Sequence, residues 1–161
     1  MKLDREHKTQ KLGTHIPGFV GYGSVHHVET DLLLRRYLAN KIGEVRDRLA
    51  DFIAAGHHPE DLRQKLAYSL RTAAFLKDEV APAPGEVLAG SGLTPLDEER
   101  LLDFDLVLLD KVAALYSQLD LMEAVASPEA ITEALDIFDE GLAEVDDLFQ
   151  ERRQVLKGAV P

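Results

Sequence analysis

Apolar residues recur at intervals of three and four along four stretches of this 161-residue chain. Leu38, Ile42, Val45 and Leu49 show the pattern in the first stretch. This spacing places the side chains on one face of an α-helix, and a helix with such a seam must bury it against other helices. The pattern therefore predicts an all-α fold: an antiparallel, up-down-up-down four-helix bundle with coiled-coil-like packing.

Capping residues and helix breakers set the predicted limits of the four helices. Ser and Thr are good N-caps, Pro favours the first turn, and Gly favours the position after the last turn. Read in this way, the helices cover approximately residues 24–55, 59–80, 94–125 and 128–157. We therefore expect one domain, with the bundle in residues 24–158 and a separate N-terminal region in residues 1–23.

The N-terminal region has two unlike parts. Residues 1–12 are highly charged and predict a tail or a short frayed helix, whereas residues 13–23 contain four glycines and a proline, which forbid regular structure. The second part also carries Ile16, Phe19 and Tyr22, which are unusual in a plain linker. Two interpretations remain open: these side chains pack against the bundle, or they bind a partner or a second copy.

The formal net charge is -11 and is concentrated in the second half of the chain. Residues 1–93 hold 13 basic and 12 acidic residues, whereas residues 94–161 hold 5 and 17. Acidic surfaces repel phosphate backbones, so nucleic acid is not an expected partner. The chain has no cysteine, no apolar stretch long enough for a membrane span and no signal peptide at its start, so we expect a cytoplasmic protein.

Charged residues interrupt three of the four apolar seams. Extending the first seam backwards from Leu38 reaches Arg35 and then Asp31, and the third seam contains Asp105. Arg152 falls on the fourth seam. Because a buried charge needs a partner, we predict that Arg35 and Asp105 form a pair inside the bundle, either to fix the helix register or to line a pocket for a small anion.

Histidines near the start of the first helix suggest a metal site. His26 and Glu29 are three residues apart, and His27 lies beside them, so His26, His27 and Glu29 are candidate ligands. The Glu-x-x-His motifs of di-iron bundles are absent. No cofactor is identified, and a bound metal remains an alternative.

No catalytic motif is apparent in the chain. Gly-x-Ser-x-Gly, Ser-x-x-Lys and the phosphate-binding Gly-Lys-Ser/Thr motif are all absent, as is any cysteine nucleophile. The sequence therefore favours a non-enzymatic role as a protein-protein interaction or scaffold module, and self-association through the helical faces is a further alternative. A metal- or small-anion-binding bundle is the alternative hypothesis.

Two segments carry a resemblance to a known type of protein. They are His15-Ile-Pro-Gly-Phe-Val-Gly-Tyr22 and Asp103-Phe-Asp-Leu-Val-Leu-Leu-Asp110. The chain resembles uncharacterised prokaryotic all-helical proteins with a Pro-Gly-aromatic-x-Gly-Tyr segment before a long charged helix. The resemblance implies a helical fold, and because that family has no established activity it assigns no functional residue.

Overall fold

The computed structural model describes residues 2–23, 26–83 and 93–158, and all regular secondary structure in them is α-helical. The all-α prediction is confirmed, but the described residues form five helices rather than four, because the charged N-terminus is also helical. In chain order these are α1 (Lys2–Gly13), α2 (His27–Ala55), α3 (Glu60–Val80), α4 (Pro95–Ala124) and α5 (Pro128–Gly158). None of these described helices combines the length and apolarity needed to cross a membrane.

The helix starts follow the capping chemistry of the sequence at two of the four long helices. At α4, the Thr94 hydroxyl accepts a hydrogen bond from the Asp97 amide, and the Asp97 carboxylate accepts one from the Thr94 amide, both at 3.1 Å. At α5, the Ser127 hydroxyl accepts from the Ala130 amide at 3.1 Å. These bonds satisfy amides that have no partner within their own helix.

The other two starts differ slightly from expectation. Pro59 is the N-cap of α3 rather than its first helical residue, and the helix begins at Glu60. Ser24, the predicted N-cap of the first long helix, lies outside the described residues, and α2 begins at His27. Neither difference changes which face of the helix is buried.

The four long helices are arranged as two hairpins packed side by side. α2 packs against α3 and α4 against α5, while α2 also contacts α4 and α3 also contacts α5. Tyr116 of α4 donates to the Lys41 carbonyl of α2, and further along both helices Arg48 of α2 binds Asp120 of α4. Residue numbers therefore increase in the same direction along α2 and α4. α2 and α4 are therefore neighbours that run in the same direction, and an up-down-up-down order also makes these two helices parallel.

The predicted apolar seams form the core. Leu38, Ile42, Val45 and Leu49 of α2 are fully buried, as are the seam residues of α4. Partly buried side chains such as Phe52 close the ends of the seams. The burial of apolar surface stabilises the packed helices by roughly 25 cal/mol per Å², and it is the main contribution that holds them together.

Two glycines within helices have different surroundings, and this difference predicts different effects of mutation. A Cβ atom on Gly141 would lie 2.9 Å from the buried Leu115 side chain, whereas one on Gly43 would lie 3.2 Å from the flexible end of Lys77. We expect Gly141→Ala to lower the free energy of unfolding by about 1–3 kcal/mol through overpacking. Gly43→Ala should leave it unchanged or raise it by up to about 1 kcal/mol. Urea unfolding of both variants tests this, and equal effects would contradict it.

Candidate functional site

The irregular residues 14–23, here called the N-terminal strap, fold back over one end of the helices. Ile16, Phe19 and Tyr22 of the strap are buried in the same core as the long helices. Gly18 and Gly21 adopt positive φ angles of 86° and 87°, which glycine accepts without strain. The interpretation of Ile16, Phe19 and Tyr22 as a partner-binding segment is therefore corrected: their side chains are occupied by the protein's own core.

The basic face of α1 is paired with the acidic start of α4. Arg5 binds Glu98 at 2.9 Å, and Lys8 binds Glu99 at 3.2 Å and Asp103 at 2.7 Å. Partly exposed pairs of this kind stabilise a fold by about 0–1 kcal/mol each. They orient α1 on α4, and the burial of the strap provides the stronger attachment.

A polar cluster is enclosed where the strap meets α4 and α5. The Arg152 guanidinium donates from Nε to Asp105 at 2.8 Å and from Nη2 to the Tyr22 hydroxyl at 2.8 Å. The same hydroxyl donates to the second oxygen of Asp105. All three side chains are buried. Burial raises the pKa of Tyr22 well above its ordinary value, which keeps its hydroxyl protonated as a donor.

Asp31 of α2 links this cluster to a second arginine. One Asp31 oxygen lies 2.6 Å from Nη1 of Arg152, and the other lies 3.8 Å from Nη1 of Arg35. Arg35 also donates to the carbonyls of Val80 at 2.9 Å and Ala81 at 3.1 Å, at the end of α3. When every acid and base is ionised, two carboxylates face two guanidinium groups, so the enclosed charge is balanced.

The predicted pairing of Arg35 with Asp105 is therefore corrected. Both residues are buried, as expected, but Asp105 is bonded to Arg152 and Tyr22. The physical reason lies in the end of α3, whose last carbonyls have no partner within the helix and take the guanidinium of Arg35. Because carboxylates and carbonyls surround both guanidinium groups, the geometry does not favour a small-anion site here.

The Asp105 carboxyl leads to a pH prediction. Burial raises its pKa to about 6, although Arg152 and Tyr22 oppose this shift. Between pH 4 and 6, approximately, the folded chain holds a proton that the unfolded chain releases, so this contribution to stability is present at low pH and is lost as pH rises. We expect the unfolding free energy of wild type, relative to Asp105→Asn, to fall by about 1–3 kcal/mol from about pH 4 to about pH 7.

Urea titrations of the two proteins across that range measure this difference. Groups that titrate elsewhere affect both proteins alike and cancel in the comparison. A difference that stays constant or grows with pH would contradict the prediction.

The histidines near the start of α2 do not form a cluster with other ligands. His26 and Glu29 are exposed, and His27 is half-buried. Within residues 2–23, 26–83 and 93–158, no three or more His, Asp or Glu side chains are arranged to hold a metal ion. The metal hypothesis for His26, His27 and Glu29 gains no support from the geometry.

An exposed aromatic groove lies between α3 and α5, and neither of these helices packs against α1. Tyr68 and Phe75 of α3 are 63% and 71% exposed, and they lie seven residues apart on one face of the helix. They border a groove of 270 Å³ whose far side is formed by Asp139, Ala143 and Asp146 of α5. We call these five residues and the groove between them the α3–α5 surface.

The carboxylates of the α3–α5 surface lie close to one another and are partly desolvated. Burial raises the pKa of Glu79, at the edge of the groove, and the neighbouring Asp146 raises it further. Burial likewise raises the pKa of Asp139, while its hydrogen bond from Ser69, at 2.6 Å, opposes the shift. The groove therefore combines apolar rings with a concentration of negative charge.

Sequence reasoning found part of these arrangements. The spacing identifies Asp31, Arg35 and Arg152 as charges on apolar seams. Tyr68 and Phe75 were not predicted as residues of a binding surface. A signal existed, because their spacing of seven predicts a shared helix face just off the buried seam. Their position opposite α5 required knowledge of which helices are neighbours.

No protein-family model, curated protein sequence or solved structure matches this chain.

Proposed function

We propose that the protein is a non-enzymatic interaction module that binds a partner protein at the α3–α5 surface. The observation that carries this proposal is the exposure of both Tyr68 and Phe75 on one helix face, two turns apart. Large exposed apolar patches are uncommon on monomeric proteins and often mark interaction sites. Aromatic side chains are also enriched at the centres of protein interfaces.

The shape of the groove supports the same function. Leu76 and Leu142 form its floor between the two helices, and Ala143 is small enough to let another backbone approach. A partner side chain that entered between the rings would complete the burial of Tyr68 and Phe75. Binding energy in such interfaces is concentrated in a few aromatic anchors that become desolvated.

Affinity capture with matched variants tests the proposal. Purified wild type, Tyr68→Ala/Phe75→Ala and the control Leu96→Ala/Leu121→Ala are cross-linked in lysate of the source organism, and recovered proteins are quantified. Leu96 and Leu121 are 67% and 48% exposed on α4, so the control removes comparable apolar surface elsewhere. We expect at least one protein to be recovered about tenfold less with the first variant only. Equal recovery of every protein with both variants would overturn the proposal.

A further inference from the structure

We infer that the partner segment that binds the α3–α5 surface is a basic amphipathic helix. This inference rests on the proposed function, because it specifies the chemistry of the occupant at the same surface. It follows from three properties of the surface: its charge, its shape and the way in which the molecule already holds one basic helix.

The charge of the groove favours a cationic partner. The groove meets a second pocket between α3 and α5 at Tyr68 and Asp139. The described residues that line the two together include five carboxylates and one lysine or arginine, Lys65. Two more cations lie near its edge, where Arg71 stacks over the Tyr68 ring and Arg153 donates to the Glu79 carbonyl. Five carboxylates therefore outnumber three cations, and the balance is negative. The acids are Asp61, Glu79, Asp136, Asp139 and Asp146.

The carboxylates also repel one another in the unbound protein. Glu79 and Asp146 share the side-chain amide of Gln150, which donates to both. Asp146 is close enough to Glu79 to disfavour ionisation of the Glu79 carboxyl and so to raise its pKa. A lysine or arginine placed between Glu79 and Asp146 would relieve this repulsion. A basic partner should therefore bind here more tightly than a neutral partner.

The shape of the groove favours a helix as the occupant. From Asp61 to Glu79 the α3 side rises about 27 Å, which is the length of a helix of about 18 residues. A straight channel between two helices accepts the side-chain ridge of a third. Tyr68 and Phe75, two turns apart, would contact apolar residues of the partner at positions i, i+3 or i+4, and i+7.

The molecule contains an internal example of this mode of binding. α1 is a short helix whose Arg5 and Lys8 bind acids of α4, while Leu12 at its end is buried in the core. A second copy of the chain is a poorer occupant of the α3–α5 surface. A two-fold symmetric contact would place Asp139 and Asp146 against identical carboxylates.

Fluorescence anisotropy with a designed peptide tests the inference. The probe is a labelled 18-residue amphipathic helix, about the length of the groove, with leucines at i, i+4 and i+7 and lysines on both flanks. Two control peptides replace every lysine by glutamate or scramble the order so that the apolar face is lost. Titrations use wild type, Tyr68→Ala/Phe75→Ala, Asp139→Asn/Asp146→Asn and the control Leu96→Ala/Leu121→Ala, each checked for folding by circular dichroism.

We expect the basic helical peptide to bind wild type and the control variant equally. Its affinity should fall about tenfold or more with each α3–α5 variant, and it should fall with added salt. The glutamate and scrambled peptides should bind at least about tenfold more weakly than the basic helix. No binding of the basic helix, equal binding of the scrambled peptide, or binding that no α3–α5 variant weakens would overturn the inference.

The two proposals fail separately. If capture from lysate depends on Tyr68 and Phe75 but the basic peptide neither binds nor displaces the captured protein, the surface binds a partner of other chemistry and only this inference is overturned. If capture does not depend on those rings, the proposed function is overturned.

Discussion

Arg152→Met is expected to lower the free energy of unfolding by about 3–5 kcal/mol. The guanidinium of Arg152 is buried between Asp31 and Asp105, with contacts of 2.6 Å and 2.8 Å. Its removal leaves two enclosed carboxylates with one remaining guanidinium, that of Arg35. A buried charge without its partner costs several kcal/mol, whereas methionine retains much of the apolar volume.

Two further variants separate the loss of charge balance from the loss of packing. Arg152→Met/Asp105→Leu restores balance between Asp31 and Arg35, and we expect it to recover at least about half of the lost stability. Arg48→Met removes a partly exposed arginine bound to Asp120 and Glu123, and it should cost about 0–1 kcal/mol. Urea unfolding measures all three. A single Arg152→Met effect no larger than that of Arg48→Met would show that the cluster does not stabilise the fold.

The sequence was sufficient to predict the four long helices and most of their buried faces. A seam such as Leu101, Leu108 and Val112 permits few alternatives, because a continuous apolar stripe on a helix has to be covered. The same logic predicted that Arg35 and Asp105 are buried, since both interrupt such seams. This information is local, and it depends only on spacing within one helix.

The partner of each buried charge could not be predicted in the same way. An arginine reaches several neighbours, and the choice for Arg35 was decided by the unpaired carbonyls at Val80 and Ala81, which belong to another helix. Asp105 then takes Arg152 from α5 and Tyr22 from the strap. These contacts depend on which helix ends meet, and that is a property of the assembled fold.

The N-terminal strap and α3 both show that the exposure of an aromatic residue outside a seam cannot be predicted from spacing, and the two cases differ in opposite ways. Ile16, Phe19 and Tyr22 look available for a partner in the sequence, because a glycine-rich segment has no seam of its own. They are buried by turns at Gly18 and Gly21. Phe75, in contrast, lies on an ordinary amphipathic helix and is exposed. Spacing identifies the buried face of a helix, but it does not show whether an apolar residue outside that face is covered by another segment.

Tyr22→Ala is expected to have the other large effect, a loss of about 3–5 kcal/mol in the free energy of unfolding. The substitution removes a fully buried ring that contacts Phe19 edge-on at 5.8 Å, together with the hydroxyl that both donates to Asp105 and accepts from Arg152. Tyr22→Phe keeps the ring and should cost about 1–3 kcal/mol, which isolates the contribution of the hydroxyl. The control Val20→Ala, in the same strap but 54% exposed, should change stability by less than about 0.5 kcal/mol.

Hydrogen exchange shows whether the strap itself is released in the Tyr22 variants. The amide of Ile16 donates to the Leu12 carbonyl at 2.9 Å, and the amide of Phe19 donates to the Ile16 carbonyl at 3.1 Å. Because Tyr22 anchors the end of the strap, we expect Tyr22→Ala to lower the protection of both amides by more than it lowers protection in the middle of α2. Unchanged protection at Ile16 and Phe19, with a stability loss no greater than that of Val20→Ala, would mean that the strap is held without Tyr22. The enclosed cluster would then contribute nothing to its attachment.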